Sequence, residues 1–269
     1  MAERSNLTSR AIPSITLCFP SSPAPTPSDL HDANGDTNLA IERFRVSEVA
    51  VVAGGAGDLS AASSKALLEH GLQELAIFDA ATEDIAKPVI FQLSSDFPFA
   101  KITFTKVDIT DADAHAMQHS IDSWRRTLEV NTTGSLIIAQ AVAKTMAEAK
   151  TGGSIARVAS ILGIWVNFPQ LQAGYNASKA AVIMMKNSLA VEWDRYGITV
   201  NTISPGYVNT ILNEGEGLDE AKKIWLARNP MGRIGEREEL CGAVVPLARR
   251  AGSHITGADI VVDDGQSLL

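Results

Sequence analysis

Val49-Ala50-Val51-Val52-Ala53-Gly54-Gly55-Ala56-Gly57-Asp58-Leu59-Ser60 is an apolar run that ends in a glycine-rich turn. A short apolar run closed by glycine reads as a buried strand. Residues 61–70 then carry helical character, and residues 75–78 form a second apolar run, so the order is strand, helix, strand. In that setting glycines let the backbone approach a pyrophosphate, while the helix N-terminus supplies N–H donors and partial positive charge. A ligand-free strand-to-helix turn would show the same glycines. Asp79 adds a second observation. An acid at the end of the second strand can accept hydrogen bonds from both hydroxyls of an adenosine ribose and would repel a 2′-phosphate. No arginine lies between Arg45 and Arg125 to welcome that phosphate. A solvated strand-end acid is the plainer alternative.

The alternation continues outward from this unit. Strands are expected at 101–107, 154–158, 199–203 and 260–262, with helices at 124–149 and 175–196. This predicts a single α/β domain built on a doubly wound parallel sheet with helices on both faces. Residues 1–45 are expected to be a disordered Pro/Ser-rich tail, since Pro20, Pro23, Pro25 and Pro27 stand among small polar residues that bury little. Residues 46–269 make up the domain.

The 269 residues are 45% hydrophobic and 20% charged, enough for a real core. The net charge of -8 argues against a nucleic-acid partner, which would need clustered Lys and Arg. Cys18 and Cys241 show no metal-ligand spacing and fit a reducing compartment. No run approaches the roughly 18 apolar residues of a membrane span, so no membrane partner is expected. A cytoplasmic location follows. The mitochondrial alternative rests on residues 1–28, where Arg4 and Arg10 accompany a single acid, Glu3.

The second constellation is Tyr175-Asn176-Ala177-Ser178-Lys179. Residues four apart share a helix face, so Tyr175 and Lys179 project side by side. A neighbouring ammonium favours phenolate over phenol and brings the tyrosine pKa down from about 10. The tyrosine then becomes a usable proton donor and acceptor. A solvated helix face would produce the same spacing. Ser160, fifteen residues earlier, follows the strand at 154–158. A serine at the carboxyl end of a parallel strand faces the crevice where open α/β sheets bind ligands; otherwise it is a turn or cap residue.

Ser160, Tyr175-x-x-x-Lys179, Asn201, the run from Pro205 through Gly206, Tyr207, Val208 and Asn209 to Thr210, and Ile255-Thr256-Gly257-Ala258-Asp259 together resemble the short-chain dehydrogenase/reductase family. More narrowly, residues 175–265 are similar to its fungal polyol and sugar reductases of the arabinitol, mannitol and sorbose type. The resemblance implies a single Rossmann-like domain that transfers hydride between a nicotinamide cofactor and a secondary alcohol or ketone of a polyol, sugar or secondary metabolite. It makes Tyr175 the general acid/base, and Ser160 the holder of the substrate oxygen. Lys179 binds the nicotinamide ribose and lowers the tyrosine pKa. Asn131 matches the asparagine of a water-linked proton relay. Gly54, Gly55, Gly57 and Leu59 belong to the pyrophosphate turn, Asp79 to the ribose, and Asp108 and Ile109 to the adenine border. Val208 and Thr210 match carboxamide contacts. Asp79 favours NAD(H), with NADP(H) left open, and no metal is implied. Residues 209–228 match a mobile substrate lid, and Trp165, Phe168 and Trp225 are either pocket lining or packing. The apolar helix after Tyr175 implies a homodimer or homotetramer.

Two departures stand against that pattern. The family turn is T-G-x-x-x-G-x-G, and its second and third glycines fall here on Asp58 and Ser60. Asp58 would bring negative charge towards a pyrophosphate, and Ser60 adds a side chain at a close helix–strand contact. Between Asp108 and Asn131 there is also no apolar run and no Asn-Asn-Ala-Gly. The usual fourth, central strand is therefore missing. Either the strands at 49–53 and 154–158 pair directly, or the chain folds poorly, or the sequence reflects a skipped exon or a mis-drawn gene model. A catalytically impaired member acting as scaffold, partner subunit or nucleotide sensor is the alternative function.

Overall fold

Residues 44–46, 49–79, 82–106, 120–170, 172–210 and 218–268 are described by the structure, a computed structural model. The expected residues 1–45 tail lies outside them, apart from Phe44 and Arg45.

The first half is the βαβ unit read from the glycine turn. Strand β1 (Val49–Ala53) leads through the turn into helix α1 (Asp58–Glu69), then into β2 (Glu74–Asp79). Helix α2 (Glu83–Asp96) and strand β3 (Lys101–Lys106) follow. The sheet order is β1-β2-β3, all parallel, with Val51 opposite Ala76 and Ile77 opposite Phe104. Leu67, Leu68, Leu75, Ile77 and Leu93 form its core. Sequence reading missed α2, which carries Pro88 in its interior and buries only Ala86 and Leu93.

The second half begins with α3 (Ile121–Leu128), capped by Ser120, whose Oγ accepts from Ser123 N–H at 3.0 Å. A π-helical turn, Glu129–Gly134, joins it to α4 (Ser135–Ala149). Strand β4 (Gly153–Val158), helix α5 (Ala173–Trp193), strand β5 (Ile198–Pro205), helices α6 (Asp219–Arg228) and α7 (Cys241–Leu247) and strand β6 (Asp259–Val262) complete it. Here the order is β4-β5-β6, again parallel. Ala139 and Ala143 of α4 and Leu189 of α5 pack with Ile155 and Val200 of the strands.

The parallel, helix-covered fold is as expected, but direct pairing of the strands at 49–53 and 154–158 does not occur. Among the described residues β1 and β4 are each the edge of a separate three-stranded sheet. The apolar sequence of β1 is that of a strand buried on two sides, yet Val49 is 61% exposed, and Val158 at the end of β4 is 53% exposed. The ladder groups along these edges are those a central strand would have satisfied.

Helix contacts join the halves instead. Leu59 of α1 packs with Val208, Leu240 and Ala243, while Val244 and Ala248 pack back onto the first core. Arg237 reaches Asp58 across the same junction at 3.0 Å.

Candidate active site

The glycine turn follows from backbone demands. Gly54 has φ +70°, a left-handed conformation costly for other residues. A Cβ on Gly55 would lie 2.5 Å from Ile77 Cγ2. The Gly54 N–H donates to Phe78 O at 2.6 Å, tying the turn to the end of β2. Gly57 is the N-cap of α1 and supplies no side-chain cap, so the first-turn N–H groups can serve an anion. The glycines and this helix end fit the pyrophosphate of a dinucleotide.

Asp79 lies at the same turn, where its Oδ2 accepts from Ala56 N–H at 2.8 Å. It therefore holds the glycine turn as well as marking the end of β2. The charge of Asp58, expected to stand against the pyrophosphate, is met by the Arg237 guanidinium. Ser60 is accommodated, its Oγ 3.8 Å from where a Cβ on Gly54 would sit. The Leu59 side chain belongs to the core at the junction. Asp108 and Ile109 lie outside the described residues.

Ser160 follows β4 and caps a 3-10 turn, Ile161–Gly163, its Oγ accepting from Leu162 N–H at 3.2 Å. A Cβ at Gly163 would lie 2.8 Å from Ala180 N, so glycine is what lets this turn rest on α5. That contact brings the Ser160 hydroxyl close enough to the Tyr175 phenol to lower its pKa. Lys179 Nζ sits 5.5 Å from the Tyr175 ring centroid and donates to Val158 O at 3.2 Å. The expected three side chains thus meet at the carboxyl end of β4.

Asn131 lies in the π-helical turn, a feature frequent at functional sites. Its Nδ2 donates to Ser178 Oγ at 3.0 Å, and Ser178 Oγ donates to Tyr175 O at 2.7 Å. Asn131 is thereby fastened to α5 between the tyrosine and the lysine.

Electrostatically the site differs from the expectation of a lysine-lowered tyrosine. Burial raises the Tyr175 pKa above 10 and outweighs the hydrogen bond from Ser160. Lys179 is itself pulled down to about 8, chiefly by burial and then by the charge of Arg157. Arg157, on β4 and 6% exposed, gives Nε and Nη2 to Ser135 Oγ, while Nη1 is buried without a partner. Desolvation lowers its own pKa to about 10. The cation that was to favour phenolate is thus disfavoured by a second cation, which sequence reading did not single out.

Val208 is buried in the junction core and pairs with Gly235, while Thr210 is half-buried. Within the expected lid, residues 209–228, the structure describes 209–210 and 218–228. Asp219–Arg228 is a helix whose Trp225 is 3% exposed and stacked on Tyr207, with ring centroids 3.8 Å apart. Trp225 is therefore packing, whereas half-buried Trp165 and exposed Phe168 flank Arg228. The Tyr207 hydroxyl donates to Asn167 Oδ1, and Asn167 Nδ2 donates to Gln172 Oε1 at 3.3 Å, just before α5. Asn201 is structural: its amide donates to Ile255 O at 2.8 Å and accepts from Ala258 N–H at 3.0 Å. No cluster of His, Cys, Asp and Glu among the described residues could hold a metal ion. No helix among them is long and apolar enough to cross a membrane.

Residues 42–267 match the family model described as enoyl-(acyl carrier protein) reductase. D-arabinitol 2-dehydrogenase (ribulose-forming) of Candida tropicalis is 32% identical over 267 residues, covering 84% of this chain and 94% of that protein. The NADP-dependent mannitol dehydrogenase of Alternaria alternata is 38% identical over 168 residues, covering 60% and 62%. Among solved structures, a short-chain type dehydrogenase/reductase from Mycobacterium marinum superposes with a TM-score of 0.78 at 28% identity, covering 84% and 98%. The chain belongs to the short-chain dehydrogenase/reductase family. Its relatives in the polyol branch are oxidoreductases acting on secondary alcohols.

Proposed function

We propose that this chain is a nicotinamide-dependent oxidoreductase that interconverts a secondary alcohol and a ketone on a small polyhydroxylated molecule. The observation that carries the reading is the meeting of Ser160, Tyr175 and Lys179 at the carboxyl end of β4, reached through the Gly163 contact. When bound, the nicotinamide supplies or accepts the hydride. The residues of the chain handle the proton and the geometry. In the reducing direction Tyr175 gives its phenolic proton to the carbonyl oxygen as the carbon gains hydride; in the oxidising direction it takes the proton back. Ser160 holds the substrate oxygen beside that phenol. Lys179 would bind the nicotinamide ribose, and a charged Lys179 stabilises the phenolate left after proton transfer. Asn131 holds the helix turn from which both project. Gly54, Gly55 and Gly57 would cradle the pyrophosphate, with Val208 and Thr210 beside the carboxamide.

Asp79 supports NAD(H), since its carboxylate would repel a 2′-phosphate; the Alternaria relative, NADP-dependent by name, supports NADP(H). Met184 and Val191, 64% and 44% exposed on α5, support pairing of two copies through that helix. The impaired-member reading is favoured by the open edges of β1 and β4 and by the Ala56 N–H already held by Asp79.

The deciding experiment measures NADH and NADPH oxidation by the full chain with ketoses, and the reverse reaction with polyols. Turnover that Tyr175→Phe lowers about a hundredfold or more supports the catalytic reading. Nicotinamide binding without turnover, unaffected by Tyr175→Phe, would establish the non-catalytic one.

A further inference from the structure

We propose that Arg228 recognises a carboxylate on the substrate, so that the site takes a hydroxy or keto sugar acid in preference to the neutral polyol of equal length. The inference rests on the oxidoreductase reading and narrows its substrate.

Arg228 ends α6 and lies 4.7 Å from the Trp165 ring centroid and 5.4 Å from that of Phe168. Both rings belong to the segment that follows Ser160. Two aromatic rings hold the guanidinium by cation–π attraction, and a guanidinium so held can still turn a fork of N–H groups to a planar anion. Neighbouring arginines are used differently. Arg233 is bridged to Glu239 and Asp264, and Arg237 to Asp58 and Glu238. No carboxylate among the described residues is paired with Arg228. A cation at a helix C-terminus gains from the dipole, but that gain requires neither ring.

Its place in the site is set by Tyr207. The Tyr207 hydroxyl meets Asn167, which lies between Trp165 and Phe168 in the chain, its ring stacks on Trp225 of the helix that Arg228 ends, and both Arg228 and Tyr175 act on that hydroxyl. Tyr207 is fixed from both sides, stacked on Trp225 and hydrogen-bonded to Asn167. A substrate whose carbonyl meets Tyr175 would extend past Tyr207 towards Arg228. A carboxylate there could take two parallel N–H bonds, a geometry a hydroxyl cannot reproduce.

D-gluconate and D-glucitol share six carbons and differ in the terminal carboxylate, which makes them the probes. Their binding to the full-length chain, followed by tryptophan fluorescence with Trp165 beneath the arginine, is expected to favour gluconate about tenfold. In Arg228→Gln, and in Arg228→Met, which keeps an unbranched chain against the rings without the charge, that preference should fall to within about twofold. Equal binding of both probes by the unaltered chain, or a preference that survives both substitutions, would overturn the proposal. D-glucitol 6-phosphate separates general anion binding from carboxylate recognition: equal or tighter binding than gluconate overturns the carboxylate assignment. Because binding needs no turnover, gluconate bound through Arg228 by a chain that oxidises nothing sustains this inference and sinks the catalytic one.

Discussion

Arg157 is the residue whose surroundings contrast most with its charge. It is buried on β4 with one unsatisfied N–H group, bonded only to a serine hydroxyl in the contacts described, and its charge adds to the burial that brings Lys179 down to about 8. An uncompensated buried cation is costly, and an apolar residue of similar length removes the cost. Arg157→Met is therefore expected to raise the melting temperature and to move the Lys179 titration upward. The sign for stability follows from linkage. Lys179 binds protons less well folded than unfolded, so between about 8 and its ordinary 10.5 the unfolded chain holds more protons and stability rises with pH. That rise should shrink in Arg157→Met, because the folded pKa then lies nearer 10.5. Unfolding midpoints in urea from pH 7 to 11 check this, and an unchanged slope would refute the coupling. Tyr175, Lys179 and Ser160 were legible in the sequence because helical spacing and a strand end place them. Arg157 was not, since nothing local tells which face of a strand meets a lysine twenty-two residues later.

Among the elements, the 3-10 turn Ile161–Gly163 and helix α5 form the pair on which the site depends. Their closeness rests on a missing Cβ: one at Gly163 would lie 2.7 Å from Ile183 Cδ1 and 2.8 Å from backbone atoms of Lys179 and Ala180. Backbone atoms of a helix cannot yield as a side-chain tip can. Gly163→Ala should therefore push the turn away from α5 and lengthen the Ser160–Tyr175 contact. The expected result is kcat lowered about tenfold or more with cofactor KM little changed, measured by steady-state kinetics beside a thermal melt. A drop in cofactor affinity with kcat intact would contradict it. Strand–helix alternation made most elements legible, with bounds close to those observed. Helix α2 was hidden by Pro88 and by a weakly apolar face. Helix α6 within the expected lid was not foreseen, because the stacking of Trp225 on Tyr207 is a tertiary contact without local signature.

At the scale of the whole molecule, the absence of an apolar run before Asn131 was plain in the sequence, but its outcome was not. The choice between re-paired and separate sheets depends on helix packing between the halves. Among the described residues β1 and β4 are edges, and their outward N–H groups have no ladder partner there, unlike those of the inner strands β2 and β5. Amide hydrogen exchange should be faster along β1 and β4 than along β2 and β5, by about an order of magnitude or more. Equal protection of all four would show that the edges are covered, in solution, by something the separate sheets do not provide.

Helix α7 lies far along the chain from the first sheet, yet Val244 and Ala248 complete the core over Leu67 and Leu75. Every strand pairing in that sheet lies between residues 49 and 106, so it is local in sequence and quick to form. During synthesis the first half can thus assemble its ladder early, but it must wait with an uncovered apolar surface until the ribosome has released residues beyond 248. The order of events, rather than the final contacts, makes roughly the last tenth of the chain the step on which productive folding turns.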